Sequence, residues 1–139
     1  QAAMRLSEAR ELRRIIEARL KADPNANLLV AGDLNDTHDQ PPIRTLLGSK
    51  APKLVDLRPF ERNGDRAPHP QSAKFILRRV AWTSFYWKED SYSRFDYLIA
   101  SPGMNRELRR AGTYVQAMAD WGLASDHRPV VASFFAEDK

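Results

Sequence analysis

Residues 28–35 read Leu28-Leu29-Val30-Ala31-Gly32-Asp33-Leu34-Asn35. Small and apolar residues run without a break into a glycine, a carboxylate and an amide. A run of this kind predicts a strand buried on both faces of a sheet. Asp33 and Asn35 are two residues apart, so their side chains share a direction if strand geometry persists. A buried strand that carries two polar groups to one rim is a common way to build a site. Gly-Asp-Leu-Asn alone is also an ordinary strand exit. Two later stretches raise its value: Phe95-Asp96-Tyr97-Leu98 and Ser125-Asp126-His127-Arg128-Pro129.

Upstream of the strand, apolar residues at 6, 9, 12, 15, 16 and 20 fall at helical spacing. They predict an amphipathic helix over residues 6–20 that covers a sheet face, with Arg13 and Glu17 pairing one turn apart. Asp23-Pro24-Asn25 is its stop. Downstream, Pro41 and Pro42 suit the first turn of a second helix, with Asp39 or Gln40 near its cap and Gly48 closing it. Residues 53–57 form a short strand or a single turn. Residues 58–74 hold prolines, arginines and His69 with little periodicity, and predict either a surface loop near the site or a plainly disordered stretch.

Residues 75–88 read as β structure, rich in aromatic and β-branched side chains. Glu89-Asp90-Ser91 is a turn, and residues 94–100 a further strand stopped at Ser101-Pro102-Gly103. A short helix or turn at 105–110, a strand at 113–117, a loop at 120–124 and a closing strand at 129–135 complete the order. The fold class is α/β (α+β): a mixed, mostly antiparallel sheet with helices on one face.

The 139 residues correspond to a single domain, 1–139. Hydrophobic residues make up 42% of the chain, enough for a packed core. The net charge of +4 fits a polyanionic partner but does not require one. With no cysteine, disulfides and thiolate chemistry are excluded. No apolar run approaches the roughly 18 residues of a membrane span. The opening at Gln1, without an initiator Met, reads as a cut upstream, and compartment is not legible.

Asp96 falls inside a strand pattern, where a buried carboxylate needs a partner. Arg94 is one option. Another is a histidine whose ring Asp96 would orient and whose protonated form it would stabilise. Asp126 is a hard oxygen ligand suited to Mg²⁺ or Mn²⁺. His127 could bind a phosphoryl oxygen or assist a proton transfer.

Taken together, Gly32-Asp33-Leu34-Asn35-Asp36, Phe95-Asp96-Tyr97-Leu98 and Ser125-Asp126-His127-Arg128-Pro129-Val130 resemble the endonuclease/exonuclease/phosphatase superfamily. The resemblance implies one half of a DNase I-like four-layer α/β/β/α sandwich. It implies that Asp33 positions or deprotonates the attacking water and that Asn35 helps hold Asp33 and the phosphate. In the same reading Asp96 orients His127, His127 contacts the scissile phosphate, and Asp126 is a metal ligand for Mg²⁺ or Mn²⁺. Thr83 falls where relatives carry a strand threonine and is a candidate substrate contact. The implied activity is metal-dependent phosphoester hydrolysis.

The resemblance extends to the C-terminal half of that domain only. The N-terminal half ordinarily supplies an asparagine, the principal metal-binding glutamate and a further Tyr or His. Neither His38 nor His69 replaces them. The expected partner is therefore the N-terminal half, in cis or in trans. A bare sheet face would favour self-association, and the chain alone should be nearly inactive. The alternative is a non-catalytic, truncated relative acting as a binding or interaction module. The substrate is a phosphoester, with nucleic acid among the options. Trp82 and Trp87 are expected in the core, and Trp121, in the loop before Ser125, is the best aromatic candidate for a substrate contact.

Overall fold

In a computed structural model the chain is described at residues 1–61 and 80–137, and the structural statements below concern those residues. Helix α1, Ala2–Ala22, turns Ala9, Arg13, Ile16 and Leu20 inward at intervals of three and four. Ile15 lies on the outer face, so the apolar stripe is narrower than the sequence pattern. The expected Arg13–Glu17 pair forms, Nε donating to Oε1 at 2.7 Å. The helix stops at Asp23, which turns extended, and Asp23 Oδ1 accepts from Asn25 N at 3.0 Å.

Strand β1, Leu29–Asp33, follows, and helix α2, Pro41–Leu47, is capped by Gln40 and by Gly48 in a left-handed conformation. The remaining elements are β2 Val55–Asp56, β3 Ser84–Tyr86, β4 Ser91–Ser93, β5 Asp96–Ala100, α3 Pro102–Arg106, β6 Tyr114–Val115 and β7 Val130–Val131. The β3–β4 turn is Trp87 to Asp90, two residues earlier than the sequence suggests, and Ser91 already belongs to β4. Residues 120–124 hold a 3-10 turn at Trp121–Leu123. Expectations for the loop at 58–74 and the strand from 75 fall largely on residues 62–79, outside the described residues, as does His69.

The architecture is mixed α/β. The three-stranded sheet has the order β1-β5-β2, with antiparallel neighbours, and β3–β4 and β6–β7 form two antiparallel pairs. One core cluster joins Ala9, Ile16 and Leu20 of α1 to Ile43 and Leu46 of α2 and to Tyr97 and Ile99 of β5. The other face of β5, Leu98 and Ala100, packs with Leu57, Met104, Val130, Ala132 and Phe134.

The strand buried on both faces is thus β5. β1 differs from its sequence reading: among the described residues it sits at the sheet edge, and from residues 28–35 Leu28, Val30 and Leu34 pack toward the helices. Leu29 and Ala31 alternate onto an exposed face. An apolar run reports strand propensity and cannot tell an edge from a centre, because that depends on which strands pair beside it. Trp87 likewise is no core residue. At 70% exposure it sits in the β3–β4 turn, while Trp82 packs edge-on to Tyr92 at 4.9 Å.

Candidate active site

The register of β1 against β5 makes Asp33 and Asp96 direct partners, one at the end of its strand and the other at the start. Facing residues of an antiparallel pair project to the same side, so the two carboxylates share one rim. Two like charges so placed destabilise the pair unless a cation intervenes.

His127 occupies that place. Its Nδ1 meets Asp96 Oδ2 at 2.7 Å, and its Nε2 lies 3.9 Å from Asp33 Oδ2. The first is a hydrogen bond; the second is an ion-pair separation too long for one. Ser84 and His127 form an antiparallel bridge, Phe85 N donates to Asp126 O at 3.0 Å, and Arg128 N donates to Thr83 O at 2.7 Å. These two hydrogen bonds make the bridge, and they hold the Asp-His-Arg stretch against the rim.

Burial is the largest single influence on the His127 ring and pulls its pKa down. The hydrogen bond from Asp96, with the negative charges of Asp96, Asp33 and Asp126, outweighs it, so the pKa lies above the ordinary 6.5. Asp96 has not taken the simpler partner. Arg94 pairs instead with Asp56, at 2.6 and 3.0 Å, and lies over the Tyr97 ring.

Asn35 does not continue the strand. Its φ is +51°, and its backbone N–H donates to Asp33 Oδ1 at 2.9 Å. Asp33 and Asn35 are therefore brought together by a tight turn in which one carboxylate oxygen is already engaged. The shared strand direction suggested by their spacing is absent, because β1 ends at Asp33.

Thr83 is 1% exposed and lies beneath the rim. Its Oγ1 accepts from Phe95 N and Asp96 N, both at 3.1 Å. The hydroxyl thus supports the Asp96 backbone from inside, which is a different position from the substrate contact suggested by the sequence. Trp121 is half-buried and packs edge-on to Trp82 at 5.2 Å and Phe85 at 6.2 Å, in an aromatic group on the β3–β4 hairpin.

Asp126 is exposed, and His38 is exposed in the turn before α2. Among the described residues no three His, Cys, Asp or Glu side chains come together as a metal site. Asp126 and Asp33 offer hard oxygens, but these donors fall short of the six or so ligands that Mg²⁺ or Mn²⁺ prefers. The described residues do not by themselves fit a resident divalent ion.

Two supporting residues were read in sequence only as letters of their motifs, with no role attached. Asp36 is buried against Arg5 of α1, and Arg128 is buried between Glu61, at 2.8 Å, and the Trp82 ring, at 4.1 Å. A buried Arg looks like a surface Arg in sequence. Only the Gly-Asp-Leu-Asn-Asp spelling hinted that Asp36 belongs with its neighbours.

Comparison with known proteins finds one family. The family model described as the endonuclease/exonuclease/phosphatase family matches residues 3–127. No curated protein and no solved structure matches the chain significantly.

Proposed function

The chain belongs to the endonuclease/exonuclease/phosphatase family, and from that premise we propose that it provides the reaction centre for metal-dependent hydrolysis of a phosphoester. Members of the family are generally phosphoester hydrolases that depend on a divalent metal. The observation that carries the reading is the His127 ring held between two carboxylates, Asp96 at 2.7 Å and Asp33 at 3.9 Å.

With Nδ1 committed to Asp96, His127 turns Nε2 toward Asp33 at 3.9 Å, too far for a direct hydrogen bond, so Nε2 is left to meet a phosphoryl oxygen at the rim. In its protonated form, favoured by the surrounding carboxylates, the ring donates from Nε2 to a phosphoryl oxygen and offsets its charge. Asp33 then orients a water for attack on phosphorus and accepts its proton, while the ester P–O bond on the opposite side breaks and the alcohol leaves, taking its proton from solvent. Asn35, held beside Asp33 by the turn, presents an amide to the same oxygens. Mg²⁺ or Mn²⁺, when bound, supplies further charge neutralisation on the phosphate. Asp126 is this chain's contribution to holding it. The remaining donors come from outside the described residues, in cis or in trans, so turnover by the chain alone is expected to be weak. Substrates are phosphodiesters or phosphomonoesters, nucleic acid among them.

A second reading is a non-catalytic relative that binds phosphate esters at the same rim. The lack of three metal donors among the described residues favours it. The test is hydrolysis of bis-p-nitrophenyl phosphate and of supercoiled plasmid with Mg²⁺ or Mn²⁺, by this chain and by Asp33→Ala and His127→Ala. Turnover lost on chelation, and falling about 10²–10⁴-fold in each variant, supports the hydrolase. Phosphate-ester binding without turnover supports the binding module.

A further inference from the structure

The turn that carries Asp33 and Asn35 is held from below at Leu34, which packs against the helical core and donates its N–H to Phe95 O at 2.8 Å, while the two polar residues stand clear. β1 is an edge strand, Asp33 and Asn35 are exposed, and Asn35 holds a left-handed backbone that a non-glycine residue adopts only when its surroundings enforce it. The enforcement lies one residue further on. Asp36 Oδ2 accepts from Arg5 Nε at 2.7 Å and Asp36 Oδ1 accepts from Arg5 Nη2 at 3.1 Å, a two-pronged pair from the first turns of α1. The carbonyl of the same residue accepts from Tyr97 Oη at 2.9 Å. Tyr97 is buried in β5, one residue beyond Asp96, and burial pushes its hydroxyl up to about 12, so it remains a donor throughout the working range.

We propose that Arg5 is a positioning residue for the candidate site. It grips Asp36 from α1 while Tyr97 grips it from β5, and the two together fix the turn that presents Asn35 and Asp33 to His127. Arg5 touches no reacting atom. It acts through Asp36, and it makes the first helix part of the machinery that sets the rim's geometry. Tyr97 ties the turn to the strand that bears Asp96, so both carboxylates keep one frame of reference. The functional side of this inference rests on the hydrolase reading; its structural side does not.

The experiment compares Arg5→Met and Arg5→Lys with an Arg14→Met control in the full chain. Arg14 lies on the same helix and pairs only with exposed Glu11. Amide exchange by NMR is the primary readout, because it needs no turnover. In Arg5→Met, exchange at Asn35 should rise about tenfold or more while amides of β5 and the middle of α1 keep their rates. Arg5→Lys keeps the charge but loses the fork, and should fall between wild type and Arg5→Met. Arg14→Met should leave Asn35 unchanged. Where turnover is measurable, Arg5→Met should lower kcat with little change in KM. Exchange at Asn35 that stays the same, or rises only in step with every other amide, would overturn the proposal. A selective rise at Asn35 with phosphate-ester binding but no turnover in any protein, wild type included, would uphold the positioning and favour the binding-module reading of the same rim.

Discussion

His127 and Asp96 are the residues whose physics is most exposed to test. The carboxylates around His127 raise its pKa above 6.5. A group whose folded pKa is raised contributes stability that is complete below its unfolded value and is lost as pH rises through the folded one. The metal-free protein should therefore lose a small increment of stability as pH climbs from about 6.5 through the His127 midpoint. In Asp96→Asn, NMR titration should show that midpoint moving down, with burial left to act against weaker attraction. Thr83 offers a second test. Thr83→Val keeps the shape but leaves Phe95 N and Asp96 N without their acceptor. Chemical denaturation should show a loss of about 1–3 kcal/mol, and Thr83→Ser should recover most of it. The identities of Asp33, Asn35, Asp96, Asp126 and His127 as candidates were legible in three short motifs. The place of Thr83 was not, because a strand threonine points to solvent or to core according to which neighbours cover it.

Among the elements, α1 and α2 were readable from spacing and caps, since helical periodicity and the Pro start and Gly stop act over a few residues. Their joint was not. Arg13, buried in α1, donates from Nη1 to Leu46 O at 2.9 Å and to Leu47 O at 3.4 Å, and from Nη2 to Pro52 O. It closes the C-terminal end of α2, where carbonyls lack helical partners and a cation is favoured. Gly48 makes room for it: a Cβ there would stand 2.5 Å from Arg13 Nη2, at a φ of +78°. Gly48→Ala should cost about 1–3 kcal/mol in denaturant unfolding, from strain and displacement together. Combining it with Arg13→Met should cost less than the sum of the single changes, because the clash disappears with the guanidinium. Additive losses would show that the two residues do not interact.

At the scale of the whole molecule, the consequence to check is the open side of β1. Among the described residues β1 pairs with β5 alone, and Leu29 and Ala31 are exposed beside its free edge. An exposed apolar edge strand is a template for pairing with another chain. Sedimentation velocity should show concentration-dependent association of this chain, and Ala31→Lys should shift it toward monomer without altering its circular dichroism. A chain that remains monomeric at about 100 μM would remove self-association from the account. By itself the sequence determined the helices, the strand propensities and the polar residues at strand ends, because each depends on neighbours within about one or two turns of chain. It also determined the family, through motifs whose spelling is local. Only the tertiary structure decided that β5 rather than β1 is the doubly buried strand, that Asp33 and Asp96 face each other, and that His127 lies between them. It also decided that Arg5 and Arg13 are tied to the loops after β1 and α2. Those facts depend on contacts across 31 to 94 positions of chain, where register and packing, not propensity, choose the partner.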